Sequence, residues 1–315
     1  MSITVRTFRT GDTDDAAGAA AVTAAAVPYL IITPEVVTWQ VSEAPAAQRY
    51  RVFVAEDGHD VVGVARTGLY HESTEPGQAF ANINVHPDRI GRGAGSALLR
   101  AAESYLATLG ARTVYSWTLD EPHSVSFAES HGFQRSRSAH FQRLDLASAQ
   151  LPPLASPPPD VTLITAAAFA DDPRPLYDAD AEILVDEPSD VTADALGYDD
   201  WLTTTWNHPS LDRDLTSVVL VDGVIAAFSL AETDGHSKYW SGMTGTRRAL
   251  RGRGLAKLAK NDSLHRAKAA GITEAFTGND TENGPMLAIN RWFGYRPAAT
   301  EWRYFLRQNA GPGEK

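Results

Sequence analysis

Arg251-Gly252-Arg253-Gly254-Leu255-Ala256 sets two guanidinium groups and two glycines side by side. Glycines at a strand-to-helix turn let the backbone approach a ligand closely and aim several N–H groups in one direction. Those N–H groups, with the positive end of a helix dipole behind them, suit an anion, most naturally a phosphate. Arg251 and Arg253 would add charge-assisted contacts. The competing reading is a Gly-rich helix start carrying two solvated arginines. On this stretch alone the two readings weigh about equally. Lys238 to Thr246 reads as a strand, and Leu255, Leu258, Ala259, Leu264 and Ala267 recur at helical spacing.

The same constellation occurs a second time. Ile90-Gly91-Arg92-Gly93-Ala94-Gly95 follows the apolar run Ala79 to Val85 and opens a helix through Leu98, Leu99 and Tyr105. Each helix ends at a glycine, Gly110 or Gly271, and each is followed by a strand-like run, Thr113 to Trp117 or Ile272 to Thr277. An Asp-Gly turn precedes each unit, at Asp57-Gly58 and Asp222-Gly223. The repeat is about 160 residues, which suits two copies of one domain rather than a solenoid. The expected organisation is an N-terminal domain over 1–146, a linker over 147–159 and a C-terminal domain over 160–315. Pro152-Pro153 and Pro157-Pro158-Pro159 make that linker extended and semi-rigid.

On these residues the chain resembles the GCN5-related N-acetyltransferase (GNAT) family, in tandem form. The family's pyrophosphate loop begins with Arg or Gln and carries Gly and then Gly or Ala at fixed later positions. Arg251, Gly254 and Ala256 match it, whereas in the first half Gly93 and Gly95 match and Ile90 stands in place of Arg or Gln. Thr277-Gly278-Asn279, Asn283-Gly284-Pro285-Met286 and Asn290 before Gly294-Tyr295 further resemble the second half of mycothiol-synthase-like tandem proteins. The resemblance implies an α/β (α+β) fold: two GNAT domains, each a mixed, strongly twisted sheet flanked by helices. It implies acetyl-CoA as co-substrate, held in the second half by Thr246, Arg251, Gly252, Arg253, Gly254, Leu255, Ala256 and Asn283. The corresponding positions in the first half are Val85, Gly91, Gly93, Ala94 and Gly95. The first domain, without the loop arginine, is expected to bind more weakly or only to build a wall, and the second to be catalytic.

The implied reaction is direct acyl transfer to a small-molecule amine in a ternary complex, which needs a base for the ammonium and an acid for the thiolate. The glutamate and tyrosine that mycothiol-synthase-like enzymes carry for this work are replaced by Trp240 and Asn290 in the second half, and by Ala79 and Ala128 in the first. Glu232, Asp234 and His236, just upstream, are the candidate catalytic groups, with Glu232 foremost; each also reads as part of a solvated acidic turn. Trp240, Asn290 and Trp302 are the candidate acceptor contacts, with aromatic core and satisfied amide as their plain alternatives.

Composition narrows the chemistry. The chain has 315 residues and no cysteine, which excludes disulfides, zinc–thiolate sites and a cysteine acyl-enzyme. No His/Asp/Glu cluster has metal-ligand spacing, so no metal is expected. A net charge of −11 argues against a broad nucleic-acid footprint and suits a cationic acceptor. No apolar run is long enough to span a membrane, and the cytoplasm is the expected compartment. Two rival readings remain open here. One is a GNAT-fold enzyme that uses an aminoacyl-tRNA or a carrier-bound acyl donor; the other is a non-catalytic acyl-CoA-binding module. Oligomeric state is not legible.

Overall fold

The computed structural model describes residues 3–154, 156–186 and 196–308. They form two compact units. The first takes in residues up to Ser138 together with those from Thr300 onward, and the second runs from Ala139 to Ala299. The expected cuts at 146 and 160 follow the sequence repeat, whereas the units are divided inside two strands.

The first unit contains β1 (Ile3–Thr7), α1 (Thr13–Ala26), α2 (Pro34–Ser42), β2 (Arg51–Asp57), β3 (Asp60–Leu69), β4 (Gln78–Val85), α3 (Ala94–Thr108), β5 (Thr113–Leu119) and α4 (Pro122–Ser130). It also holds the start of β6 (Gln134–Asp145). The second contains the rest of β6, then β7 (Val161–Thr165), α5 (Arg174–Leu184), α6 (Tyr198–Trp201), β8 (Ser217–Val221), β9 (Val224–Thr233) and β10 (Lys238–Thr246). It continues through α7 (Leu255–Ala269), β11 (Glu274–Asp280), α8 (Gly284–Phe293) and the start of β12 (Arg296–Arg307). Within the first unit the strand order is β1-β2-β3-β4-β5-β12, with Glu301–Arg307 antiparallel to β5. Within the second it is β6-β11-β10-β9-β8-β7, with residues 139–145 antiparallel to β11.

The parallel pair in each unit is joined by a helix, as a parallel connection requires. In the second unit β10 and β11 pair only from Lys238 to Trp240 against Glu274 to Phe276, and then diverge. In the first, β4 and β5 pair only from Gln78 to Phe80 against Thr113 to Tyr115. The two copies differ on the other side of the opening. β10 has an irregularity against β9 between Ser241 and Thr244, while β4 pairs with β3 without interruption from Ala79 to Val85. A bulge bends a strand and leaves backbone groups without ladder partners, which is useful beside a site.

Helix α5 lies against β10 in the second unit. A Cβ built at Gly245 would sit 2.2 Å from Ile183 Cγ2, so only glycine permits this approach. Tyr198–Trp201 forms one α-turn, followed by a wider π-helical turn over Leu202–Trp206. Trp201 and Trp206 are buried and stack with centroids 6.0 Å apart. The proline-rich stretch is tied to α7: His265 Nε2 lies 2.8 Å from the Pro152 carbonyl, and Lys268 Nζ donates to the Ala149 carbonyl at 2.6 Å. No helix among the described residues is long and apolar enough to cross a membrane.

Candidate active site

Gly252 and Gly254 adopt φ of 79° and 76°, a region open to glycine but strained for other residues. Nothing lies within 4 Å of a Cβ built on either, so the space above the loop is open. Gly254 is the N-cap of α7 and contributes no side-chain cap. Among the described residues the amides of Gly252, Arg253, Gly254 and Leu255 have no backbone acceptor. The Ala256 amide instead donates to Thr246 Oγ1 at 3.1 Å, which ties the loop to the end of β10. Leu255 buries its side chain in the core and offers only its backbone. These are the features of an anion cradle.

The two arginines are engaged elsewhere. Arg251 donates through Nε to the Thr246 carbonyl at 3.2 Å and through its terminal nitrogen to Asp186. Arg253 pairs with Asp160 at 2.6 Å. Exposed ion pairs of this kind contribute about 0–1 kcal/mol, so a phosphate can take either guanidinium at little expense. The first unit's loop has the same backbone, with Gly91 at 79° and Gly93 at 89° and open space beside both. Ile90 is 42% exposed there and offers no charge, Ala94 is core, and Gly95 packs near Phe127. Val85 ends β4 beside this loop.

Across the sheet from α7, a cavity of about 360 Å³ lies between β9–β10 and the α5–α6 layer. Tyr177, Asp180, Trp201, His208, Glu232 and Met243 are among its walls. Glu232 reaches it from β9, and Met243 from the irregular segment of β10 that borders the divergence from β11. Among the described residues the Glu232 carboxyl has no hydrogen-bond partner, and burial pushes it up to about 7. Asp180 is raised to about 6 by burial, against the opposing effect of its hydrogen bond from Trp201. Trp201 Nε1 donates to Asp180 Oδ2 at 2.7 Å, while among the described residues the buried Oδ1 has no partner. Burial lowers His208, which therefore stays neutral near pH 7.

The other candidates separate cleanly. Burial alone would raise Asp234, but N–H groups of Lys238, His236 and Ser237 hold it below the usual carboxylate range. It is the organiser of a turn, with exposed His236 in the same turn, and neither lines the cavity. Trp240 stands opposite Glu232 in the ladder but packs on Gly278 and Phe141. Asn283 caps α8 by accepting from the Met286 amide at 3.3 Å. Asn290 is fully buried, accepting from Lys260 Nζ at 2.6 Å and donating to Gln142 and Asn279. It is a satisfied core amide, not an acceptor contact. Trp302 pairs in register with Thr118 and belongs to the first unit, so it does not wall this cavity. Among the described residues no group of three or more His, Asp or Glu could hold a metal ion.

Asp180 and His208 were not anticipated from sequence. The one available signal is that Asp180 interrupts the buried stripe Leu176, Ala179, Ile183 of α5 with a carboxylate.

Known proteins resemble the chain in domain and fold. The family model described as an acetyltransferase (GNAT) domain matches residues 48–135, in the first half. A mycothiol acetyltransferase of Nocardioides sp. is 27% identical over 70% of this chain and 77% of its own length. Another, from Clavibacter michiganensis, is 28% identical over 83% of this chain and 85% of its own. Among solved structures, a tandem GNAT protein from the clavulanic acid biosynthesis pathway has a TM-score of 0.73 at 20% identity, covering 99% of this chain and 100% of that one. A GNAT protein of Sphaerobacter thermophilus has a TM-score of 0.70 at 20% identity, covering 98% and 97%. Residues 48–135 match a GNAT acetyltransferase domain, and the chain as a whole has the fold of tandem GNAT proteins.

Proposed function

We propose that the chain transfers an acetyl group from acetyl-CoA to the nitrogen of a small-molecule amine, with Glu232 of the second unit as general base. GNAT acetyltransferases use acetyl-CoA as co-substrate, and the open loop at Gly252 and Gly254, with donor amides lacking backbone acceptors among the described residues, fits a pyrophosphate. The observation that carries the proposal is the Glu232 carboxyl, unpartnered in a cavity bordered by the irregular segment of β10. A carboxyl tuned to about 7 can remove a proton from a bound ammonium near neutral pH. The freed amine attacks the thioester carbon, the carbon–sulfur bond breaks as the carbon–nitrogen bond forms, and the leaving thiolate takes up the second proton shed by the new amide nitrogen, giving the free thiol. The chain has no cysteine to carry the acyl group, which favours this direct route.

Thiol release from acetyl-CoA across a panel of primary amines tests the proposal, with a mycothiol-type amine included because two relatives bear that name. Glu232→Gln should lower kcat by about 10²–10⁴-fold and remove the acid limb of the pH profile, while acetyl-CoA binding persists. Full turnover in that variant would remove Glu232 from the mechanism. Binding of acetyl-CoA with no thiol release to any amine would favour a binding module instead.

A further inference from the structure

Two carboxyl groups face the same cavity from different walls, Asp180 from helix α5 and Glu232 from strand β9. Among the described lining residues there is no Lys or Arg to balance them. The remaining titratable groups there are His208 and Tyr177, and His208 is kept neutral by burial. Arg174 lies over Tyr177 and Tyr198, and Arg213 over Trp206, but neither reaches the cavity wall. Asp180 is 8% exposed. Its Oδ2 is fixed by the Trp201 indole, and among the described residues its buried Oδ1 lacks a donor.

A buried carboxylate left without a donor or counter-charge is unfavourable. A single ammonium at Glu232 leaves that deficit at Asp180 in place. We propose that the acceptor is a compact dication, a diamine whose reacting nitrogen lies at Glu232 while its second ammonium is held by Asp180. A volume of about 360 Å³ is at the small end for ligand pockets, which favours a short, flexible diamine over a bulky amine. Asp180 is thus a specificity-determining residue, remote from the bond that forms.

This inference rests on the acyl-transfer reading, and its test keeps the two apart. With the intact protein and acetyl-CoA, kcat/KM is compared for putrescine and cadaverine against butylamine and pentylamine, and diamine binding is measured calorimetrically. A diamine preference of about tenfold or more is expected, and Asp180→Asn should reduce that ratio at least about tenfold. Asp180→Glu retains the charge on a longer arm and should shift the preference toward the shorter diamine. Equal kcat/KM for diamines and monoamines, or an unchanged ratio and unchanged diamine affinity in Asp180→Asn, would overturn the dication proposal. Asp180-dependent diamine binding without thiol release would uphold it and overturn the acyl-transfer reading instead.

Discussion

Replacing Glu232 with Gln should make the protein more stable at alkaline pH and catalytically poor at once. Burial raises the Glu232 carboxyl from 4.5 to about 7. The folded protein then binds this proton more tightly than the unfolded chain, so the contribution is complete below 4.5 and is lost as pH rises through 7. At about 1.4 kcal/mol per pH unit over that interval, and allowing for the part of the side chain open to the cavity, the loss is about 2–3 kcal/mol. Glutamine has nearly the same shape and no charge to desolvate, so the variant should not show this loss. Asp180, raised to about 6, adds its own decline at lower pH in both proteins and cancels in the comparison. Urea denaturation at about pH 5 and about pH 8.5 provides the assay. The variant should nearly match the wild type at the lower pH and exceed it by about 2–3 kcal/mol at the higher. If both proteins change stability in parallel between the two conditions, the carboxyl is solvated. The argument for a base tuned by burial would then fail, whatever happens to turnover.

Arg251→Ala should raise the acetyl-CoA Kd about ten- to hundred-fold, the loss of one charge-assisted phosphate contact. Arg247→Ala should leave it within about twofold, because Arg247 lies just past the end of β10, outside the glycine loop, with its guanidinium on Glu182 of α5 at 2.7 Å. Equal effects measured by calorimetry would reject the phosphate assignment. Gly254→Val puts a branched side chain at φ of 76° in the open space over the loop, so acetyl-CoA titration should show no binding. Normal affinity in a folded variant would mean the loop holds no ligand. Gly245→Ala should cost about 1–3 kcal/mol in denaturant melts, because its methyl meets Ile183 Cγ2 at 2.2 Å. A neutral result would show that α5 shifts freely on β10.

The loop and its flanking elements were readable because each signal is local. A strand from Lys238 to Thr246, a glycine turn and a helix from Leu255 occupy consecutive positions, and the structure returns them in that order. Glu232 faces the cavity from β9, one of only two faces open to a residue near the end of an alternating strand. Asp234 looked equivalent on paper, but an acid followed by Gly235 closes a turn on its own backbone. The cavity was not readable. Asp180, His208 and Glu232 come from separate elements with no spacing that links them, and only packing of α5 onto the sheet brings them together. Asn290 was ambiguous for a related reason, because its partners Lys260, Gln142 and Asn279 are scattered along the chain.

Where the repeat ends was also hidden, and the reason is the repeat itself. Each half closes with a long strand after an aromatic-flanked glycine, β6 after Gly132-Phe133 and β12 after Gly294-Tyr295. Two such strands can complete either sheet, and similarity between the copies cannot say which. In the structure β5 takes its outer partner from β12, and β11 takes its own from β6. Cutting within 147–159 would therefore strip β5 and β11 of their antiparallel partners, exposing backbone donors and acceptors along two strands. Neither half alone contains a whole unit. The question of which loop binds acetyl-CoA thus belongs to the intact chain, with Gly93 and Gly254 altered one at a time. Loss of one binding event in only one variant identifies the loop that carries it, and loss of one in each assigns a site to both.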